Sequence, residues 1–121
     1  MLEMLANIGV AIIAVLHIWF CVLETYFWSR PLGCKMFGMS RELALQSAPL
    51  AANQGLYNLF LSAGLFWGLL SRDPVQAFNV KVFFLSCVIV AGLYAGATVN
   101  RRILLVQAFP ALLTLVLLCI S

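Results

Sequence analysis

The sequence predicts an all-α integral membrane protein, an antiparallel up-down bundle of four transmembrane helices making a single domain over residues 1–121. Three observations predict it. Hydrophobic residues make up 64% of the chain and charged residues only 9%, where a soluble domain covers itself with roughly 25% charged residues. The mean hydropathy is +1.08. The apolar residues also gather into stretches near 20 residues long, about the length that carries a helix across a bilayer. Runs such as Ile103 to Val106 and Leu112 to Leu118 do not alternate apolar with polar residues, as the strands of a membrane barrel would.

The first span is read from Met4 to Trp28. It opens Met1-Leu2-Glu3 without Lys or Arg, and its apolar stretch is too long for a cleaved signal peptide, so it is expected to stay in the mature protein. The only substantial loop follows, from about Ser29 to Pro49. Arg30-Pro31-Leu32-Gly33 marks a turn, and Ser40-Arg41-Glu42-Leu43 starts a short interfacial helix with Ser40 as its N-cap. The second span runs from Leu50 to Leu70 and ends at the tight Ser71-Arg72-Asp73-Pro74 loop. The third runs from Ala77 to Thr98. Little more than Asn100-Arg101-Arg102 separates it from the fourth, Ile103 to Ile120. Pro110 is expected to kink that last helix and to deprive the Val106 carbonyl of its α-helical donor. Short connections force neighbouring helices to run antiparallel.

The basic residues orient the chain. Arg30, Lys35, Arg41, Arg101 and Arg102 share one side, against Arg72 and Lys81 on the other. The positive-inside rule then puts the first and third loops in the cytoplasm and both termini outside it. The net charge of +3 is thus spent on topology, and no nucleic-acid surface is expected. Cys21, Cys34, Cys87 and Cys119 show no CxxC spacing and read as apolar filler. With one histidine in the chain, no metal site is expected, and no nucleotide loop, haem motif or nucleophile motif appears. No cofactor is expected.

Polar side chains inside a span are expensive, so each marks a candidate functional site. His17 and Glu24 lie seven residues apart, on one face of the first helix and roughly 10 Å apart along its axis. The second helix opens with two pairs at i,i+4 spacing, Asn53 with Tyr57 and Gln54 with Asn58. The third ends with Tyr94, Thr98, Arg101 and Arg102, and the fourth begins with Gln107. In an antiparallel bundle all of these fall in the same half of the membrane, the cytoplasmic half by the charge count. The expected site is a ligand-binding polar pocket lined by His17, Glu24, Asn53, Gln54, Tyr57, Asn58, Tyr94, Thr98, Arg101, Arg102 and Gln107. Arg101 or Arg102 would pair with Glu24 if the first and third helices are neighbours. The bland alternative for each group is a helix–helix hydrogen bond, worth about 0.6 kcal/mol on average in a bilayer. The GxxxG spacings at Gly64/Gly68 and Gly92/Gly96 are read first as tight packing between helices of one chain. Lys81 and Asn79 are placed near the opposite membrane surface.

Three function classes fit. The first is binding or transport of a small molecule through the pocket; a chain this short would need a homo-oligomer or a partner to alternate access. The second is a structural or accessory subunit whose polar groups hold the bundle together. The third is an intramembrane transferase, with His17 and Glu24 as acid and base and Arg101 as an anion stabiliser. Binding or transport ranks first.

The string Asn53-Gln54-Gly55-Leu56-Tyr57-Asn58, continuing to Phe60-Leu61 and Gly64-Leu65, is distinctive. So is Gly92-Leu93-Tyr94-Ala95-Gly96-Ala97-Thr98-Val99, followed by Arg101-Arg102-Ile103-Leu104 and Gln107. With His17, Leu23-Glu24 and Phe37-Gly38, these resemble the small bacterial membrane proteins grouped as domain-of-unknown-function family 1304. That resemblance implies a multi-pass protein of the bacterial inner membrane and supplies no activity. A looser likeness is to the MAPEG glutathione and eicosanoid proteins, trimers of four-helix subunits with a second-helix motif of the form Arg-x-x-x-Asn-x-x-Glu. Aligned on Asn53, this chain has Pro49 in place of the Arg and Leu56 in place of the Glu, so only the architecture is shared.

Overall fold

The computed structural model describes all residues, Met1–Ser121, and they are all-α. Five helices follow one another: α1 Leu2–Val22, α2 Pro31–Phe37, α3 Arg41–Leu70, α4 Pro74–Thr98 and α5 Phe109–Ile120. Two π-helical turns join this series. Leu23–Phe27 continues α1, and Leu104–Ala108 leads into α5.

The first, third and last expected elements reappear with shifts of a few residues at their ends. The second does not begin at Leu50. Ser40 is the expected cap, with the Leu43 N–H donating to its Oγ at 3.1 Å, but the helix it starts is not a short one. It runs without a break through Pro49 to Leu70. The stretch read as a turn at Arg30 to Gly33 is instead the start of α2, with Pro31 in its first turn, where the missing N–H costs nothing. Gly38 closes α2 at φ 62°, a left-handed conformation that glycine reaches without a steric penalty.

By length and composition, Leu2–Phe27 and Pro74–Thr98 are apolar enough to cross a membrane. Leu104–Ile120 is apolar but shorter. Although α3 is the longest helix, Asn53, Gln54 and Asn58 dilute its apolar content.

The chain divides into two compact units, one of Met1–Val15 with Leu61–Ser121, the other of Leu16–Phe60. The core of the larger unit draws on four helical segments: Ala6, Val10, Ile13 and Ala14 from α1, Leu65 from α3, Leu85 and Val88 from α4, and Ala111 and Leu118 from α5. The buried stripe of α4 is Ala77, Lys81, Leu85, Val88, Gly92 and Gly96, spaced at three and four residues as one helix face requires. Small residues bring the helices together here. A Cβ on Gly92 would sit 2.7 Å from the Ala108 backbone nitrogen, and one on Gly96 would meet the Leu104 side chain. Gly64 lies against the Phe84 ring and Gly68 against Lys81. Both GxxxG spacings therefore serve packing within the chain. Ser62 Oγ donates to the Ala14 carbonyl at 2.7 Å, so a buried hydroxyl ties α3 to α1 without leaving a polar group unmet.

The smaller unit holds the end of α1, the first π-helical turn, α2 and the opening half of α3. Leu23, Ala44 and Ala51 are buried. Trp28 anchors the connection, its Nε1 donating to Ser47 Oγ at 3.0 Å and its ring lying 4.8 Å from that of Phe37.

Pro110 sits in the first turn of α5, directly after the π-helical turn, in which the Phe109 N–H reaches back to the Leu104 carbonyl. The proline that the sequence expects to kink the last helix thus directly follows a widened turn.

Candidate functional site

Glu24 stands on the π-helical turn that ends α1, one residue after its start. Such turns break the regular hydrogen-bond ladder and occur often at functional positions. Thr25 adds to the irregularity, its Oγ1 donating back to the Cys21 carbonyl at 2.6 Å, a bond that competes with the helix backbone. Across from it, α3 comes unusually near because Gly55 has no side chain. A Cβ there would lie 3.0 Å from Thr25 Cγ2, 3.2 Å from the Cys21 carbonyl oxygen and 3.3 Å from Glu24 Cβ. One turn on from Gly55, the short side chain of Asn58 then spans the remaining gap. Its Nδ2 donates to Glu24 Oε1. Asn58 is buried and Glu24 half-buried.

The partner of the carboxylate is therefore an amide rather than a cation. The basic residues of this unit are occupied elsewhere or exposed. The Arg30 guanidinium lies over the Tyr26 ring, 4.2 Å from its centroid, with its Nε donating to the Tyr26 carbonyl. Lys35 and Arg41 are exposed. An amide donor engages one oxygen of Glu24 and leaves the other unengaged, an arrangement suited to a ligand that forms a hydrogen bond with a carboxyl group.

Of the other residues singled out in the sequence, His17 is fully buried, with its ring edge-on to Phe20 at 5.1 Å. Asn53, Gln54 and Tyr57 are exposed, so of the two i,i+4 pairs on α3 only Asn58 turns inward. Tyr94, Thr98, Arg101, Arg102 and Gln107 belong to the larger unit. Tyr94 and Thr98 are exposed, and the Thr98 hydroxyl donates to the Tyr94 carbonyl on its own helix at 2.8 Å. Arg101 and Arg102 are exposed. Gln107 is buried within the second π-helical turn.

Sequence reasoning missed one polar pair. Lys81 is only 7% exposed, and its Nζ donates to Asn7 Oδ1 at 2.7 Å. The signal was present: Lys81 falls in helical phase with Ala77, Leu85, Val88 and Gly92, so a lysine near a span's end also lay on its buried stripe.

A family model described as "Protein of unknown function (DUF1304)" matches residues 11–119. The chain is also 29% identical over 107 residues to the "Uncharacterized protein YpaA" of Lactococcus lactis subsp. lactis (strain IL1403), covering 87% of this chain and 88% of that one. No solved structure matches.

Proposed function

The chain belongs to the DUF1304 family, and from that premise we propose that it is a multi-pass protein of the bacterial inner membrane that holds a small molecule at the Glu24–Asn58 pair. In this reading four spans form an antiparallel bundle: α1 with its π-helical turn, α3, α4, and the second π-helical turn with α5. The first and third loops face the cytoplasm. The support for a lipid environment is an apolar exterior, with Ile12, Phe83, Val90 and Leu105 each more than half exposed on helices that a soluble protein would cover with charge.

The observation that carries the binding role is a carboxylate held by an amide on helices whose other side chains are largely apolar. A carboxyl group inside a span is costly and rare, and so marks a functional position by default. Glu24 anchors the ligand and Asn58 fixes the carboxyl group. The exposure of Asn53, Gln54 and Tyr57 favours one addition. Polar groups facing hydrocarbon are unfavourable, so these three meet the ligand or a second copy of the chain. The same exposure favours a second reading, an accessory subunit that docks a partner through this face.

Native mass spectrometry of the protein released from lipid nanodiscs tests the proposal. Wild type is expected to carry a bound small molecule that Glu24→Gln loses, since the variant keeps the shape but not the carboxyl group. Identical spectra of bare protein would overturn the binding role and leave the pair as helix packing in an accessory subunit.

A further inference from the structure

The connection from α1 to α3 presents two faces on one short helix. Gly33 turns one face of α2 inward, buried against the Phe27 and Trp28 carbonyls with no room for a Cβ, and Phe37 adds its ring contact with Trp28. These contacts strap α2 to the end of the first helical stretch. Leu32 and Met36, one turn apart, take another face and are exposed. They lie outside the four proposed spans, so hydrocarbon around the spans does not account for them. Lys35, three residues from Leu32, is exposed beside them. Arg30, just before α2, is already oriented. Its guanidinium lies 4.2 Å over the Tyr26 ring and its Nε donates to the Tyr26 carbonyl. The N–H groups of its two terminal nitrogens remain, a fork that fits two oxygens of a phosphate. Arg41 is a third exposed cation, and across residues 29–49 Glu42 is the one carboxylate.

We propose that this connection docks on anionic phospholipid at the membrane surface. Arg30 grips a headgroup phosphate, Lys35 and Arg41 add charge, and Leu32 and Met36 enter the boundary with the acyl chains. The inference rests on the membrane reading above and is independent of the Glu24 site. The occupant follows from the two kinds of group that are exposed together. An acidic soluble partner would satisfy the cations and leave Leu32 and Met36 in water. A purely apolar surface would cover those two and leave the cations unmet. An anionic lipid surface answers both, and the connection, tethered to a span at each end, stays at that level. Tyr26 fits the same boundary, where aromatic side chains gather. The membrane reading places this connection on the cytoplasmic side, where the anionic leaflet attracts basic residues next to a span.

The test uses the full chain in nanodiscs of equal parts phosphatidylglycerol, which is anionic, and phosphatidylcholine, with retained lipids weighed by native mass spectrometry. Wild type is expected to retain phosphatidylglycerol over phosphatidylcholine by about five-fold, the factor that corresponds to about 1 kcal/mol for one cation at an anionic surface. The triple variant Arg30→Gln, Lys35→Gln, Arg41→Gln changes only exposed side chains, and its ratio is expected to fall to near one. Arg101→Gln with Arg102→Gln, exposed cations of the other basic connection, is expected to keep the preference. Hydroxyl-radical labelling reads the apolar face. Met36 is expected to be labelled several-fold less in the mixed nanodiscs than in phosphatidylcholine alone, while the exposed Met1 is labelled alike in both. Equal retention of the two lipids by wild type would overturn the inference, as would an unchanged ratio in the triple variant or an equal fall in the Arg101 and Arg102 variant. Met36 labelled alike in both lipids would overturn it too and leave the face to a protein partner. Each of these results refutes this surface alone, whereas protein that fails to enter nanodiscs refutes the membrane reading as well.

Discussion

Gly92→Leu is expected to prevent assembly of the larger unit, seen as loss of the monodisperse peak on size-exclusion chromatography in mild detergent. Gly92 lies on the buried stripe of α4, opposite Ala108 in the second π-helical turn. A side chain there meets backbone, not a movable side-chain tip: the Ala108 nitrogen at 2.7 Å, its Cβ at 2.9 Å and its Cα at 3.0 Å. Overpacking a well-filled site costs about 1–3 kcal/mol where neighbours can shift, and more where they cannot. Gly92→Ala already introduces that Cβ and should lower the melting temperature measurably. Ala97→Leu, at an exposed position of the same helix, should leave both measurements near wild type. Collapse of Ala97→Leu alongside Gly92→Leu would mean that the close approach at Ala108 is not what limits the site.

The second large effect concerns Glu24 and Asn58. Asn58→Leu removes the donor and strands a half-buried carboxylate. Leaving a buried polar group without its partner costs about 1–3 kcal/mol, and because Glu24 retains some exposure the expected loss is about 1–2 kcal/mol. Replacing both partners with leucine is expected to recover most of that, because an apolar pair strands nothing. The coupling energy from the four-way comparison should reach about 1–2 kcal/mol in unfolding measurements in detergent micelles. A double variant that regains stability but not the bound molecule separates the pair's structural part from its binding part. Additive losses in the double variant would mean that the two side chains do not depend on each other.

Much of this molecule is legible in its sequence, for reasons that differ from element to element. Long apolar stretches with turn residues between them locate α4 and the start of α1, because helix periodicity and length are local properties. Ser40 announces its cap in the same way. The join of that capped helix to the second span is not local. Pro49 reads as a boundary, yet it lies inside α3, where the packing of Ala44 and Ala51 on either side outweighs one missing backbone bond. The π-helical turns are also invisible in the sequence, since no residue type demands them. The polar residues of the candidate site were found by type. Their facing was not, because Asn53, Gln54, Tyr57 and Asn58 sit on consecutive turns and only the contact at Gly55 decides which one turns inward. The burial of Lys81 is legible only from the stripe on which it lies, in phase with Ala77, Leu85 and Val88.

The widened turn at Leu104–Ala108 also bears on where this chain can gain or lose a residue. A regular α-helix rotates about 100° for each residue, so a single insertion within one swings everything beyond it onto a different face. A π-helical turn absorbs the extra residue within itself. The helix beyond keeps its phase, and Ala111, Thr114 and Leu118 continue to meet the core. A shorter homologue with four residues in place of these five would run straight through and bury the equivalents of the same three positions. Deleting or inserting one residue is therefore expected to be tolerated at Leu23–Phe27 and Leu104–Ala108, whereas the same change elsewhere in these helices would turn a buried stripe outward.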